Sequence, residues 1–312
     1  MITKKIKKYI LNPKLILKRL DNYRLITLKD EDYINMCYET TFDKKLNLED
    51  PQTFNEKLQW LKLYDRNPEY TKMVDKYEVK KYVAEKIGEE YIIPTIGIYD
   101  SFEEINFKEL PDQFVIKCTH DSGGIVICKD KSNFNIEETR KKINKCMKNN
   151  YYRNWREWPY KNVKPRIIIE SFMDDGVNSQ LVDYKLQCFW GKVDNILVCV
   201  DRDKETGVKY HYFDTNWKYL KYCPYPGINE KNINISKPKQ LDKMIKIAER
   251  LSAGIPEVRI DLYIIHGKIY FGEYTFFTNG GFDTTITSDA DIILGEKLKL
   301  PIKREKWEVK KR

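Results

Sequence analysis

The clearest pattern of hydrophobic and polar positions lies at residues 258–273, where two β-branched and aromatic runs flank a His-Gly-Lys segment at 266–268. This pattern predicts a β-hairpin with a glycine turn. If the turn is centred on Gly267, Asp261 lies directly across from Glu273, with their Cβ atoms roughly 5 Å apart. Two opposed carboxylates in otherwise apolar strands repel each other unless a proton or a cation lies between them.

The residue types in this hairpin indicate a metal–nucleotide site. Oxygen-only ligands favour a hard ion, and so few protein ligands suit Mg²⁺ completed by phosphates and water. Arg259 lies on the same strand face as Asp261, two residues away, so a guanidinium borders the predicted metal. The alternative is an exposed hairpin with solvated acids. Because the acids repel, neutral amides at Asp261 and Glu273 are expected to leave melting without metal unchanged or slightly higher.

The rest of the chain reads as helices first and then mixed helices and strands. Thr53 and Glu56 have the spacing of a capping box at the start of a helix that includes Leu58, Trp60 and Leu61. The other predicted helices span about Asp75–Lys86, Ile136–Lys148 and Pro238–Ser252. The predicted extended segments are Tyr91–Gly97, Gln113–Cys118, Ile125–Cys128, Arg166–Phe172, Asp183–Trp190 and Val193–Asp201.

Composition fits an enzyme of more than one lobe. The 312 residues suffice for roughly two domains, and 41% hydrophobic with 13% aromatic residues suffices for packed cores. No apolar run approaches the ~20 residues that span a bilayer, and no signal peptide with a cleavage site is evident. The seven cysteines contain no CxxC pair and indicate a reduced, cytoplasmic protein, and three histidines are too few for a zinc site.

The charge pattern is most informative at the two ends. The net charge of +9 accompanies a chain rich in Lys, Asn, Ile and Tyr, and aromatic residues are not interleaved with basic ones, so we expect no nucleic-acid partner. Residues 1–20 hold seven Lys or Arg and no acid. This arm either lies on the anionic inner face of a membrane or is solvated. The tail Lys303–Arg312 is also basic.

A second candidate site is the loop Lys117–Gly124. Its glycines, Gly123 and Gly124, allow backbone amides to approach phosphate oxygens, and Lys117 can place an ammonium at the same phosphates. The loop returns into a strand instead of opening a helix, and no GxxxxGK[ST] occurs, which excludes P-loop geometry.

The order of these features resembles that of the ATP-grasp superfamily, and specifically its TupA-like branch, which is linked to teichuronopeptide and other surface-polysaccharide synthesis. The similarity covers roughly residues 30–300 and is carried by Pro51–Leu63 with Asp65-Arg66, Asp75-Lys76 through Tyr82-Val83, Lys117–Gly124, Glu170, Asp183-Tyr184-Lys185, and Arg259-x-Asp261 through Glu273. The resemblance implies an α+β ATP-grasp fold in which two α+β lobes clasp ATP. The expected regions are a helical N-terminal region at 1–74, lobes at 75–170 and 171–302, and a tail at 303–312.

The resemblance also implies roles for individual residues. Lys76 and Lys117 would hold ATP phosphates, Arg259 would contact the transferring phosphate, and Asp261 and Glu273 would bind Mg²⁺. Arg259 and Lys117 are thus the expected catalytic residues. The remaining residues expected to bind the nucleotide are Ser122, Gly123 and Gly124 in the loop, Glu170 and Phe172 at the adenine hinge, Asp175 at the ribose, and Lys185.

Two positions depart from the family pattern. The relatives commonly have asparagine two residues after the metal-binding glutamate, where this chain has Thr275; either its hydroxyl ligates the metal or Asn279 reaches inward. The ribose-binding acid is either Asp174 or Asp175, at a shorter spacing from the hinge glutamate than in many relatives.

Other candidate residues have alternative interpretations. Asp201-Arg202-Asp203 matches the DxD pattern of metal-dependent glycosyltransferases, but it also fits a strand end and turn. Trp155, Trp158 and Tyr160 either stack on a sugar ring or form a packed interdomain loop. His120 is either an acid or base above the phosphates or a polar loop residue.

The function implied is an ATP- and Mg²⁺-dependent carboxylate–amine ligase that acts through an acyl phosphate. From the resemblance, its small-molecule partners are a carboxylate and an amine or glycan precursor: an amino acid or short acidic peptide joined to a uronic acid or amino sugar. The alternatives are a glycan kinase with the same ATP site, a glycosyltransferase that uses a nucleotide sugar, and a non-catalytic scaffold.

Overall fold

The computed structural model describes residues 14–176, 181–203, 207–223, 233 and 235–302. The predictions for the first part of the basic arm, residues 1–13, and for the tail 303–312 lie outside these ranges. The described residues form helices and antiparallel sheets, which confirms the α+β class. None of the helices in these ranges combines the length and the apolarity that crossing a membrane requires.

Helices dominate the chain before the first described strand. They are α1 (Lys14–Asn22), α2 (Asp30–Phe42), α3 (Phe54–Tyr64), α4 (Glu69–Val74) and α5 (Glu78–Ile87). The later ones are α6 (Ile136–Met147), α7 (Tyr152–Trp155), α8 (Leu241–Ser252) and α9 (Ser288–Lys297). The predicted capping box is confirmed at the start of α3, where the Thr53 side chain accepts from the Glu56 amide and the Glu56 carboxylate accepts from the Thr53 amide.

The strands form a small sheet and a large sheet, and all their recorded pairs are antiparallel. The small sheet has the order β1-β4-β2-β3, with strands β1 (Thr95–Tyr99), β2 (Phe114–Cys118), β3 (Ile125–Cys128) and β4 (Ile167–Ser171). The large sheet has the order β10-β9-β5-β6-β7-β8. Its strands are β5 (Asp183–Phe189), β6 (Lys192–Asp203), β7 (Gly207–Asp214), β8 (Tyr219–Leu220), β9 (Glu257–Ile265) and β10 (Lys268–Thr275).

The two faces of the large sheet differ in polarity because side chains alternate along each strand. The apolar face packs on α8, whose residues Leu241, Met244, Ala248 and Leu251 are fully buried. The opposite face carries Asp183, Lys185 and Gln187 from β5 beside Arg259 and Asp261 from β9, with Lys185 paired to Asp261 and Gln187 to Arg259. Burial of the apolar face thus orients a row of charged groups to the other side.

The β9–β10 hairpin pairs Asp261 with Glu273, as the sequence predicted, but the turn and the register that produce this pair differ from the prediction. Its turn is a two-residue turn at His266 and Gly267, both with positive φ, which by itself would place Gly272 opposite Asp261. A bulge between Phe271 and Glu273 restores the Asp261–Glu273 pair. Glycine is required in the bulge because a Cβ at position 272 would lie 3.0 Å from the Asp261 carbonyl oxygen and 2.8 Å from the Tyr263 ring.

Most predicted elements occur within a few residues of their predicted ends, and two corrections are needed. The helix predicted from Asp75 starts at Glu78, because the Asp75 carboxylate accepts from the amides of Tyr77 and Glu78. The extended segment predicted at 91–97 is wrong in its bounds, because residues 89–91 form a helical turn and the strand starts at Thr95. The backbone of residues 201–203 ends β6, and their side chains lie outside the described part of the chain.

Candidate functional site

A cavity of about 300 Å³ lies between the small sheet and the large sheet. Its cationic lining residues are Lys76, Lys80, Lys117 and Lys185. Its acidic lining residues are Glu170, Asp183 and Glu273, and its apolar lining comes from Val79, Ile92, Ile93, Ile125, Tyr263 and Phe271. The structure therefore brings together five residues that the sequence singled out as site residues: Lys76, Lys117, Glu170, Lys185 and Glu273. A lysine-rich cavity with an apolar portion suits a ligand with an anionic end and a flat apolar end.

Glu170 joins two of these lysines. Its buried carboxylate lies 2.6 Å from the Lys117 ammonium through Oε2 and forms an ion pair with Lys80 through Oε1. Burial by itself would raise the pKa of Glu170, but Lys117 and Lys80 hold this pKa below its usual range. Lys80 lies on α5, four residues after Lys76 in the turn that precedes this helix, and was missed in the sequence.

Lys76 is positioned by the turn that precedes α5. Its amide donates to the Thr119 carbonyl at 3.1 Å, and its ammonium donates to the Asp121 carbonyl. Both carbonyls belong to the glycine loop, residues 119–124 between β2 and β3. The Asp75 carboxylate accepts from the amides of Tyr77 and Glu78 in this turn and from Arg166 at 2.9 Å. Asp75 and Lys76 therefore have different roles, because Asp75 stabilises the turn while Lys76 lines the cavity.

The glycine loop connects β2 to β3 above the cavity. The Gly124 amide donates to the Asp121 carboxylate at 2.9 Å, and the Ser122 hydroxyl donates to the Tyr151 hydroxyl at 3.1 Å. A Cβ at Gly124 would lie 2.7 Å from Cys118 Sγ, whereas a Cβ at Gly123 would meet no atom within 4 Å. Gly124 therefore serves close packing, and Gly123 lies at the exposed tip.

Arg259 and Asp261 form a buried, two-point ion pair. Arg259 Nε lies 2.7 Å from Asp261 Oδ1 and Nη2 lies 2.9 Å from Oδ2, while the Lys185 ammonium also donates to Oδ2. Burial would raise the pKa of Asp261, but Arg259 and Lys185 hold it below its usual value. Burial would lower the pKa of Arg259, but Asp261 raises it, so the guanidinium stays charged.

Glu273 and Thr275 lie on β10 beside this ion pair. Arg259 Nη2 lies 3.9 Å from Glu273 Oε1 and donates to the Thr275 hydroxyl at 3.1 Å. The cation that the sequence required between the two acids is therefore supplied by Arg259, and it does not by itself imply a metal. Asn279, the alternative to Thr275, donates to Asp283 at 2.8 Å.

These residues nevertheless fit a magnesium ion bound together with phosphates. No group of three or more His, Cys, Asp or Glu side chains suited to a metal occurs in the described ranges. Mg²⁺ bound with substrate phosphates needs only one or two protein carboxylates. Asp261 and Glu273 are paired across β9 and β10, and 43% of the Glu273 side chain is exposed.

The ion pair reverses the expected effect of neutralising Asp261. We expect Asp261→Asn, without nucleotide or metal, to lower the free energy of unfolding by roughly 2 kcal/mol, because the buried Arg259 guanidinium loses its two-point partner and the Lys185 ammonium keeps only Asp183, at 3.5 Å. Glu273→Gln is the matched control and should change this free energy by less than about 0.5 kcal/mol, since this side chain is partly exposed and lies 3.9 Å from Arg259. Urea denaturation measures both. Equal stability of the two variants would contradict the assignment of Arg259 to Asp261.

Several other candidate residues are not among the described residues that line this cavity. Phe172 and Asp175 are both absent from the described lining of the cavity. The Lys129 ammonium lies over the Phe172 ring, 5.8 Å from its centroid. His120 is buried, its Nε2 lies 3.2 Å from the Cys146 carbonyl, and burial lowers its pKa. The Trp155 ring packs on Phe282 at 5.3 Å between centroids, as the packed-loop interpretation predicts.

A buried polar stripe on α3 holds the loop that follows β10, and sequence reasoning missed it. Asn55, Gln59 and Lys62 are at most 1% exposed. Gln59 donates to the Gly281 carbonyl and Lys62 to the Gly280 carbonyl, while Asn55 Oδ1 accepts from the Asp283 amide at 2.7 Å. The i, i+4, i+7 spacing puts them on one helix face, and that spacing was the available signal.

Comparisons with known proteins support the sequence resemblance. The family described as TupA-like ATPgrasp matches residues 56–299. Among curated proteins, none matches the chain.

The solved structures to which this chain is similar include three ligases. D-alanine–D-alanine ligase from Bacillus anthracis, complexed with ATP, is 17% identical, with 65% of this chain and 53% of that chain covered and a TM-score of 0.38. The corresponding ligase from Helicobacter pylori is 13% identical, covers 79% and 65%, and has a TM-score of 0.40. The ATP-grasp ligase PsnB with its minimal precursor is 9% identical, covers 77% and 66%, and has a TM-score of 0.39. This chain thus spans between half and two thirds of the length of these structures.

Proposed function

The chain belongs to the TupA-like ATP-grasp family, and from this premise we propose that it is an ATP- and Mg²⁺-dependent carboxylate–amine ligase. The observation that carries the proposal is the lysine-rich cavity between the two sheets, with the Arg259–Asp261–Lys185 cluster at its edge. Ligases of this kind must hold a polyphosphate and direct its terminal phosphoryl group at a second substrate. A cavity with cations along its wall and a charged cluster at one edge suits both tasks.

Lys76 and Lys117 are proposed to hold the phosphates of ATP. Both line the cavity from the side of the small sheet, and Lys76 is held at the glycine loop through the Asp121 carbonyl. Lys117 is paired with Glu170 at 2.6 Å, so its ammonium is oriented until an anionic ligand competes for it. The apolar residues Val79, Ile92 and Ile93 line the same cavity and suit the base. Ser122, Gly123, Gly124, Phe172 and Asp175 remain predictions.

Asp261 and Glu273, with Thr275 beside them, are proposed to hold Mg²⁺. Bound Mg²⁺ would neutralise charge on the phosphate oxygens and orient them. Both oxygens of Asp261 are engaged by Arg259 or Lys185, so a ligand at this acid competes with those contacts. Arg259 and Lys185 are then available to anionic groups at the edge of the cavity.

The proposed reaction forms one amide bond for each ATP. A carboxylate oxygen bonds to the terminal phosphorus as ADP leaves, and an amine then displaces phosphate from the acyl carbon and loses a proton. Arg259 is the residue we expect to oppose the charge on the transferring phosphoryl group, because its planar guanidinium presents two donors at once. The resemblance suggests substrates from surface-polysaccharide synthesis, an amino acid or short peptide and a sugar, and work in the cytoplasm near the membrane.

This function is tested by product analysis. We expect the protein with Mg²⁺, ATP and pools of amino acids, uronic acids and amino sugars to release ADP and phosphate together with a product of amide mass. Lys117→Met should abolish this release, whereas Lys81→Met, at a side chain 84% exposed, should leave it unchanged. Release of AMP, or release of UDP from a nucleotide sugar without any use of ATP, would contradict the proposal.

A further inference from the structure

A second cavity, of about 260 Å³, lies on the other side of the charged cluster. Lys185 lines both cavities, and Arg259 lines the second one. The floor of this second cavity includes Leu197 of β6 and Tyr212 of β7. The strand order is β10-β9-β5-β6-β7, so the first cavity, proposed above to hold ATP, lies towards β10 and the second cavity lies towards β7. Lys185 on β5 lies between them.

Asp283 is the distinctive residue of this second cavity. It is 3% exposed, and it forms no ion pair with any cation in the described ranges. Its Oδ1 accepts from Asn279 Nδ2 at 2.8 Å and from the amide and hydroxyl of Thr285 at 2.8 Å and 2.6 Å. Its amide donates to Asn55 on α3, so the carboxylate is held from several directions. No described donor is recorded on Oδ2.

A buried carboxylate without a cation is costly unless a ligand supplies the missing charge. The lining of the cavity also carries the reverse charge, because Arg259 and Lys185 are cations. The opposite charges are linked by a short path, since Arg259 Nη1 donates to the Thr278 hydroxyl at 3.3 Å and the next residue, Asn279, donates to Asp283. A small ligand in this space meets positive charge at one end and negative charge at the other.

We propose that the second cavity binds an amino acid as a zwitterion, with its ammonium at Asp283 and its carboxylate towards Arg259 and Lys185. This inference rests on the proposed ligase function, because the cations are where the phosphoryl group would arrive. The amino acid then supplies the carboxylate that is activated, and its own ammonium is held away from the reacting centre. The amine that forms the amide belongs to the other substrate.

The inference is tested by binding, without turnover. We would titrate the protein with each of the twenty amino acids, their N-acetyl derivatives and uronic acids, using calorimetry. We expect at least one amino acid to bind, and its N-acetyl derivative to bind at least about 30-fold more weakly, because acetylation removes the ammonium. Asp283→Asn should weaken binding of the free amino acid by a similar factor. Asp289→Asn, at an exposed position on α9, is the matched control and should have no effect.

The outcomes separate this inference from the proposed function. Equal binding of the amino acid and its N-acetyl derivative to the unmodified protein would overturn the role of Asp283, whether or not the variant folds. Binding of uronic acids alone would overturn the amino-acid assignment. Mg-ATP affinity is measured on the same samples and should change less than about two-fold in Asp283→Asn. Absence of Mg-ATP binding by the unmodified protein would instead contradict the proposed function.

Discussion

We expect Arg259→Lys to lower kcat about 1,000-fold, the upper range for loss of one preorganised charge-stabilising group. Arg259 holds Asp261 through two parallel contacts of 2.7 Å and 2.9 Å and also donates to Thr275 and Thr278. A lysine keeps the positive charge, so Asp261 retains a counter-ion and the fold is preserved. An ammonium cannot reproduce the planar pair of donors that a phosphoryl group and a carboxylate both accept.

Steady-state release of ADP with a saturating substrate pair measures this effect. Arg140→Lys, at an exposed position on α6, is the matched control and should retain full activity. A decrease of less than ten-fold in Arg259→Lys would mean that this residue only braces Asp261 and does not act on the transferring group.

Lys62→Met is expected to give the largest loss of stability, about 4 kcal/mol in the free energy of unfolding. The Lys62 ammonium donates to Gln59 Oε1 at 2.8 Å, to the Trp155 carbonyl at 3.0 Å and to the Gly280 carbonyl. Methionine fills similar space beside Phe282 but leaves two buried carbonyls without a donor. Burial lowers the pKa of Lys62 to about 7, and the nearby Glu157 opposes that shift.

Urea denaturation with a two-state fit measures the loss, and Lys81→Met is again the exposed control. If Lys62→Met is as stable as the control, the α3 stripe does not hold the loop at 278–283. The position of Asp283 would then need another explanation, because Asn55, Gln59 and Lys62 act on one short segment.

The parts of the fold that depend on local signals were predictable. The capping box at Thr53 and Glu56 is complete within four residues. The helical spacing of the apolar residues from Leu241 to Leu251 indicates a helix face that packs on a sheet. β7 and α9 are among the elements that were missed. β7 alternates weakly because aromatic residues occupy both of its faces, and among the described residues of α9 only Ala290, Leu294 and Gly295 are buried.

The candidate site was predictable in part. The pairing of Asp261 with Glu273 could be inferred from the hairpin pattern, although the bulge at Gly272 could not. The partners that neutralise Asp261 were harder to see, because Lys185 contacts it from 76 positions away in the chain. The α3 stripe is harder still, since its contacts with Gly280 and Asp283 join residues more than 200 positions apart.

The most direct test of the central claim follows oxygen from the carboxylate into phosphate. The carboxylate substrate identified by binding is labelled with ¹⁸O in its carboxyl group and turned over with Mg²⁺, ATP and the amine. If the carboxylate is phosphorylated and the amine then displaces phosphate, each phosphate released carries one ¹⁸O atom from the substrate. Phosphate released without ¹⁸O, or label retained in a stable phosphorylated glycan, would contradict a ligase that acts through an acyl phosphate.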